Sequence, residues 1–160
     1  MTVAADGWGM RRPLWGSFNG LAYAPRIPPT GYALLLHLLT VQEQGGLVVA
    51  THEELGEGLA MERGMISRAM HHLVAARLVT VLRRGRFRLH PAIAAFGTPQ
   101  EQQQAIRALP REMRLDEGDF EEEYERRLQQ RQEERDRKAR QREVVHLGSR
   151  SRLRSVPDLG

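Results

Sequence analysis

The sequence predicts a mixed fold, mainly α with a small β-hairpin (α+β), followed by C-terminal helices. Three observations predict it. Apolar residues concentrate between Tyr32 and Phe96 and nearly vanish after Leu128, so a core of roughly 80–100 residues is expected, enough for one small stable domain. Within that stretch the apolar residues recur first at helical spacing and then alternate around a single glycine. Positive charge is localised as well. Residues 59–97 hold seven Arg (Arg63, Arg68, Arg77, Arg83, Arg84, Arg86, Arg88) against one acid, Glu62, while the formal net charge of the 160-residue chain is only +4.

Residues 1–29 read as an N-terminal extension with Gly, Pro and scattered aromatics (Trp8, Trp15, Phe18, Tyr23). Trp8 and Trp15 are expected to fold back onto the domain, a partner-binding anchor being the alternative. Pro28-Pro29-Thr30 stops the preceding chain and offers Thr30 as an N-cap. Tyr32, Leu34, Leu35, Leu36, Leu38, Leu39 and Val41 then surround almost the whole helix circumference, which predicts a buried first helix ended by Gly45-Gly46.

Leu47-Val48-Val49-Ala50 reads as a short strand. Thr51 opens a capping box with Glu54, so a short second helix is expected over about 52–58. Gly58-Leu59-Ala60 makes a tight turn. A third helix is predicted over 61–77, with Ile66, Met70, Leu73 and Val74 on one face and Leu78 beyond it. Val79-Thr80-Val81-Leu82, Arg83-Arg84-Gly85 and Arg86-Phe87-Arg88-Leu89 alternate around one glycine as a hairpin does. Residues 91–96 are small and apolar and are expected to close the core, which gives a domain of residues 30–97.

Residues 98–146 read as C-terminal helices. Thr98-Pro99-Gln100-Glu101 carries an N-cap, a proline at the first position and an acid at the third, and the helix reaches about Leu109 before Pro110. Asp119 and Glu122 begin a long charged helix ending near Glu143. Its pairs Glu122/Arg126, Glu123/Arg127, Glu133/Arg137, Glu134/Lys138 and Asp136/Arg140 each add about 0.2–0.5 kcal/mol, and its apolar seam is Phe120, Tyr124, Leu128. Residues 147–160 read as a disordered tail.

Helix, strand, helix, tight turn, helix and hairpin is the order of a winged helix-turn-helix. A basic face on a helix plus hairpin is the electrostatic footprint expected of a double-stranded DNA reader. In that arrangement helix 61–77 lies in the major groove and the hairpin, 79–89, is the wing. Rotating the third helix by about 100° per residue puts Gly64, Arg68, His71, His72 and Ala75 opposite the apolar face, with Ser67 on a flank. Arg68 is the expected bidentate contact to guanine, and Arg63, Ser67, His71 and His72 are placed to reach bases or phosphates. Thr51 and His52 start the bracing helix, where free N–H groups meet a phosphate. On the wing, Phe87 and Leu89 are expected to face the core, Arg86 and Arg88 to face out, and Arg83 and Arg84 to sit at the tip, suited to the minor groove or its flanking phosphates.

Other function classes lack their signatures. The chain has no cysteine, hence neither disulfides nor thiolate metal sites. Adjacent His71 and His72 point about 100° apart on a helix, a poor metal pair, and His37 is read as a core residue. No P-loop, G-x-G-x-x-G or nucleophile elbow is present, and Glu53, Glu54 and Glu57 crowd a helix start rather than forming a catalytic pair, so neither enzyme activity nor a metal or cofactor is expected. Met1 to Trp15 lacks a secretory pattern and no apolar run reaches membrane length, which makes a bacterial cytoplasmic, nucleoid-associated location the expectation, without membrane contact.

The stretch from about Tyr32 to Gly97 resembles the winged-helix domain of RepL-type plasmid replication initiators and, more loosely, of MarR-type transcription regulators. The likeness rests on YALLLHLL (32–39) leading to LVVATHEELGEGL (47–59), on MISRAMHHLVAARLV (65–79), and on GRFRLHPAIAAFG (85–97). The last segment is the most specific; His90 stands where the initiators usually carry Asn before proline. The long charged helix is not part of the pattern. The resemblance implies sequence-specific DNA binding, as a transcription regulator by preference, with replication initiation at origin repeats as the alternative and a protein-interaction module with a helical arm as the second. A homodimer joined through the C-terminal helices, by the helix after Thr98 or by the Phe120-Tyr124-Leu128 seam, is the expected way to pair half-sites.

Overall fold

The structure, a computed structural model, describes residues 16, 19–115 and 120–153. The aromatics Trp8, Trp15 and Phe18, and residues 154–160 of the expected tail, lie outside the described residues. Over the described residues the fold is mixed α+β, with five α-helices and a three-stranded antiparallel sheet. In chain order the elements are α1 (Pro29–Val41), β1 (Leu47–Val49), α2 (His52–Leu59), α3 (Arg63–Ala75), β2 (Val79–Arg83), β3 (Arg86–Leu89), α4 (Pro99–Arg107) and α5 (Phe120–Leu153), with 3-10 turns at Asn19–Tyr23 and Arg111–Met113.

Helix α1 begins one residue before the expected cap. Pro29, whose missing N–H has no helical partner to lose, takes the first turn, and no side-chain hydrogen bond caps it. The helix is also less buried than its composition suggests. Leu34, Leu35 and Leu38 are fully enclosed against α2 and α3, but Leu36 is 62% exposed and Tyr32 and Val41 also reach solvent. A helix packed from one side buries one stripe, whatever its other faces carry.

The capping box forms as expected. Thr51 Oγ1 accepts from the Glu54 amide at 3.2 Å, and Glu54 Oε2 accepts the Thr51 amide at 2.6 Å. Helix α2 ends where Ala60 turns left-handed (φ 51°) and the Met61 amide donates back to the Gly56 carbonyl at 2.9 Å. That turn runs so close to α2 that a Cβ on Gly56 would lie 2.5 Å from the Met61 carbonyl oxygen. It consumes residues 61 and 62, which is why α3 starts at Arg63 rather than 61.

At its other end α3 stops at Ala75, two residues short of the expected 77. Arg77 adopts φ 60°, and the amides of Arg77 and Leu78 donate to the carbonyls of Val74 and Leu73. This is a Schellman closure with an arginine in the left-handed position usually given to glycine. It drops Leu78, fully buried, into the core and aims β2 away from the helix.

Strands β2 and β3 form the expected hairpin about Gly85, with an irregularity between Val81 and Arg83. Strand β1 adds to the free edge of β3, pairing Val48 with Phe87, so the sheet order is β1-β3-β2. Phe87 and Leu89 face the core, as does Val48, whereas Arg88 is exposed on the other face, in line with the predicted alternation.

Residues 90–98 close the core, with Ile93 and Ala94 fully buried. Their turns are tied by buried polar side chains. His90 accepts the Ala92 amide on Nδ1 (3.1 Å) and donates from Nε2 to the Met113 carbonyl (2.9 Å). Gln102 donates to the Pro91 carbonyl (2.9 Å), and Gln42 accepts the Ala95 amide (2.8 Å). Helix α4 starts at the Thr98 cap, with the Glu101 amide donating to Oγ1 at 3.2 Å.

Helix α5 departs most from expectation. It runs to Leu153, so residues 147–153, read as disordered, are helical; only one glycine, at about 1 kcal/mol, interrupts a run of tolerable helix formers there. Its Tyr124 is buried and Leu128 packs on the core cluster, so the seam expected to serve a second copy is covered by α3 of the same chain. Two of the anticipated ion pairs are in place, Glu123–Arg127 at 2.8 Å and Glu134–Lys138 at 2.6 Å. Among the described residues no helix is long and apolar enough to cross a membrane.

Candidate nucleic-acid interface

Where α3, the start of α2, the β2–β3 hairpin and α5 meet, they enclose an open groove of about 580 Å³. Of the residues singled out from the sequence, Thr51, His52, Arg63, Ser67, His71 and Arg84 line it. Arg131 and Arg135 of α5 line it too, and Glu53 is the only acid among the lining residues.

Each element contributes through its local geometry. The capping box fixes the start of α2 and sets His52 flat on Phe87, ring centroids 5.8 Å apart and planes 17° apart. The same box uses the Thr51 amide and hydroxyl, both held by the Glu54 carboxylate, which they keep below the usual carboxylate range. A phosphate at the start of α2 would therefore meet N–H groups other than the Thr51 amide, which Glu54 already holds. Helix α3 leaves Arg63, Gly64, Ser67 and Arg68 exposed along its first two turns, and nothing lies within 4 Å of where a Gly64 Cβ would be. The hairpin tip exposes Arg83 and Arg84, and Arg84 turns to the groove. Arg86 and Arg88 pair with Val49 and Leu47 of β1 and share the sheet face opposite Phe87, away from the groove. The four arginines of the hairpin thus divide between tip and outer face.

The second half of α3 differs from expectation. His72 is directed to α5, its Nδ1 2.7 Å from the Tyr124 hydroxyl, and His71 Nδ1 accepts the Arg131 Nε–H at 3.3 Å. Ala75, placed on the outer face by the helical wheel, is buried, and its carbonyl accepts Arg127 Nε–H at 2.5 Å. Glu123 joins Arg77 at 3.2 Å. The free face of α3 is therefore its first half, and His72 is a packing residue of the α3–α5 contact. The sequence contains a signal for this, since Tyr124 and Leu128 recur at helical spacing, but the same spacing fits a contact with another chain equally well.

Electrostatics sharpen the arrangement. Burial lowers the pKa of His52, with Arg63 adding to the effect. Burial also lowers His71, reinforced by Arg131, Arg135 and His72, and lowers His72. Near neutral pH these rings are uncharged, so the cationic character of the groove rests on Arg63, Arg84, Arg131 and Arg135. The last two were missed by sequence reading because α5 reads as a solvated ladder of ion pairs. Among the described residues no group of three or more His, Asp or Glu gathers as a metal set.

Family models, curated proteins and solved structures were compared with the chain, and none matches.

Proposed function

We propose that this chain is a winged helix-turn-helix reader of double-stranded DNA, with α3 as the recognition helix and the β2–β3 hairpin as the wing. The observation that carries the reading is the convergence of Arg63, Ser67, Arg84, Arg131 and Arg135 on one open groove beside the exposed first half of α3. The major groove of B-DNA is about 12 Å wide and admits one helix. The covered half of α3 would not fit there with α5 alongside, but recognition helices reach bases mainly with their N-terminal residues. Here those are Arg63, Gly64, Ser67 and Arg68, which are small, polar or cationic. Arg68 suits a bidentate contact to guanine, while the groove between helix and wing suits the intervening phosphate strand.

Occupying promoters as a transcription regulator is the preferred role, and binding origin repeats as a replication initiator is the alternative; both use the same surface. The test is fluorescence anisotropy of labelled duplex with the full chain and with the Arg68→Ala, Arg84→Ala double variant across a salt series. The expected result is weaker binding and a salt slope shallower by about one per lost phosphate contact. Unchanged affinity and slope would overturn the reading.

A further inference from the structure

We infer that α5 is a third DNA-contacting element, a cationic arm that follows the phosphate backbone outward from the groove; the inference rests on the proposed DNA reading. The starting point is the face of α5 that docks on α3. Taking about 100° per residue, Tyr124, Arg127 and Leu128 share one face, and Arg131, Arg135, Lys138 and Arg142 continue it within about 60° of arc. The acids Glu122, Glu125, Glu133, Asp136 and Glu143 fall on the opposite side, Glu134 flanks the stripe and pairs with Lys138 at 2.6 Å, and no acid lies within the stripe itself. Cations such as Arg137 and Arg140 also occur on that opposite side, but acids are kept out of the stripe, which ion pairing alone does not require.

The change along that face coincides with a change in surroundings. Tyr124 is buried and Leu128 packs on the core, whereas every residue from Gln129 to Glu143 is exposed. Where it meets α3 the face is covered, with Arg127 engaged by the Ala75 carbonyl and Glu123, and from the point where it leaves the domain it is exposed and cationic. Arg131 and Arg135 mark the transition, lining the groove with Arg63 and Arg84, and the Arg131 side chain is steadied there by His71. From Arg131 to Arg142 the helix advances about 16 Å, the axial span of about five successive phosphates on one DNA strand. The stripe is continuous with the groove, holds only cations, with Glu134 at its edge on Lys138, and is long enough for several phosphate contacts. It carries no groups suited to base edges beyond flexible cations, so its contribution is independent of sequence. A second copy of the chain is a poorer occupant, because the stripe would meet the same cations on its partner unless the acidic back of the helix turned toward it.

The test compares two charge-removing variants of the full chain on one duplex and on an unrelated duplex. Arg135→Ala, Lys138→Ala, Arg142→Ala strips the stripe, and Arg137→Ala, Arg140→Ala strips cations from the other side of the same helix. Alanine keeps α5 helical, which circular dichroism verifies. The expected result is that the triple variant loses affinity alike on both duplexes and flattens the salt slope by about two to three, while the double variant keeps the parental slope. Equal effects from the two variants, no effect from the triple variant, or tighter binding once the stripe is gone would overturn the arm. Failure of the unmodified chain to bind duplex DNA at all would instead overturn the reading on which the arm rests.

Discussion

The Nε–H of Arg131 points at Nδ1 of His71, 3.3 Å away, and this contact joins α5 to the outer side of α3. About two turns back along α5, the Tyr124 hydroxyl meets Nδ1 of His72 at 2.7 Å. Two adjacent histidines thus tie the same pair of helices, and the first can accept its bond only while neutral.

Acidification should therefore loosen α5. Both rings titrate below a free histidine, His71 through burial and its neighbours Arg131, Arg135 and His72, and His72 through burial. As pH falls past about 6.5 the undocked state takes up protons first, so the contribution of these rings is complete above that value and is lost as pH falls through their lowered pKa values. Amide hydrogen exchange should show protection at Phe120–Leu128 falling between about pH 7.5 and 5.5, after correction for intrinsic rates. In the His71→Asn, His72→Asn variant that protection should lose most of its pH dependence.

Two glycines of similar helical setting should respond oppositely to alanine. In the open setting of Gly64, Gly64→Ala should stabilise the protein by about 0.5–1 kcal/mol. At Gly56 the new methyl would meet the Met61 carbonyl oxygen at 2.5 Å, so Gly56→Ala should destabilise by about 1–3 kcal/mol through displacement of the α2–α3 turn. Urea unfolding of the two variants reads both signs.

Arg77 occupies the left-handed closing position of α3 and pairs with Glu123. Arg77→Gly and Arg77→Ala lose the same ion pair, but only alanine retains the backbone strain. The glycine variant should be the more stable of the two by about 1 kcal/mol, and equal stabilities would refute the strained closure.

Gln102, 3% exposed, donates to the Pro91 carbonyl at the turn that closes the core. Gln102→Ala leaves that acceptor without its partner and should cost about 1–3 kcal/mol in urea unfolding. A variant as stable as the parent would mean that the turn holds without this tie.

The Thr51 capping box, the Thr98 cap, the hairpin and the closing residues Ile93 and Phe96 were legible in the sequence because each depends on neighbours a few residues away. The bounds of α3 were less so: residues 61 and 77 carry good helix formers, and only the close approach at Gly56 and the left-handed Arg77 remove them. Placement of α5 was not legible. Its Glu-to-Arg spacing satisfies a free helix, and nothing local to residues 120–135 reveals that Tyr124 meets His72 or that Arg131 and Arg135 reach the groove. For the same reason the outer face of α3 was drawn too long, since a helical wheel shows which residues share a face and not what covers it.

The central claim, that the groove and the first half of α3 read duplex DNA, is tested most directly by capturing fragments of the source genome with the purified chain at about 150 mM salt, where non-specific binding is weak, and sequencing them. The account predicts enriched fragments sharing a short motif, either scattered upstream of genes for a regulator or clustered as repeats at one locus for an initiator. A captured pool indistinguishable from the input would contradict it.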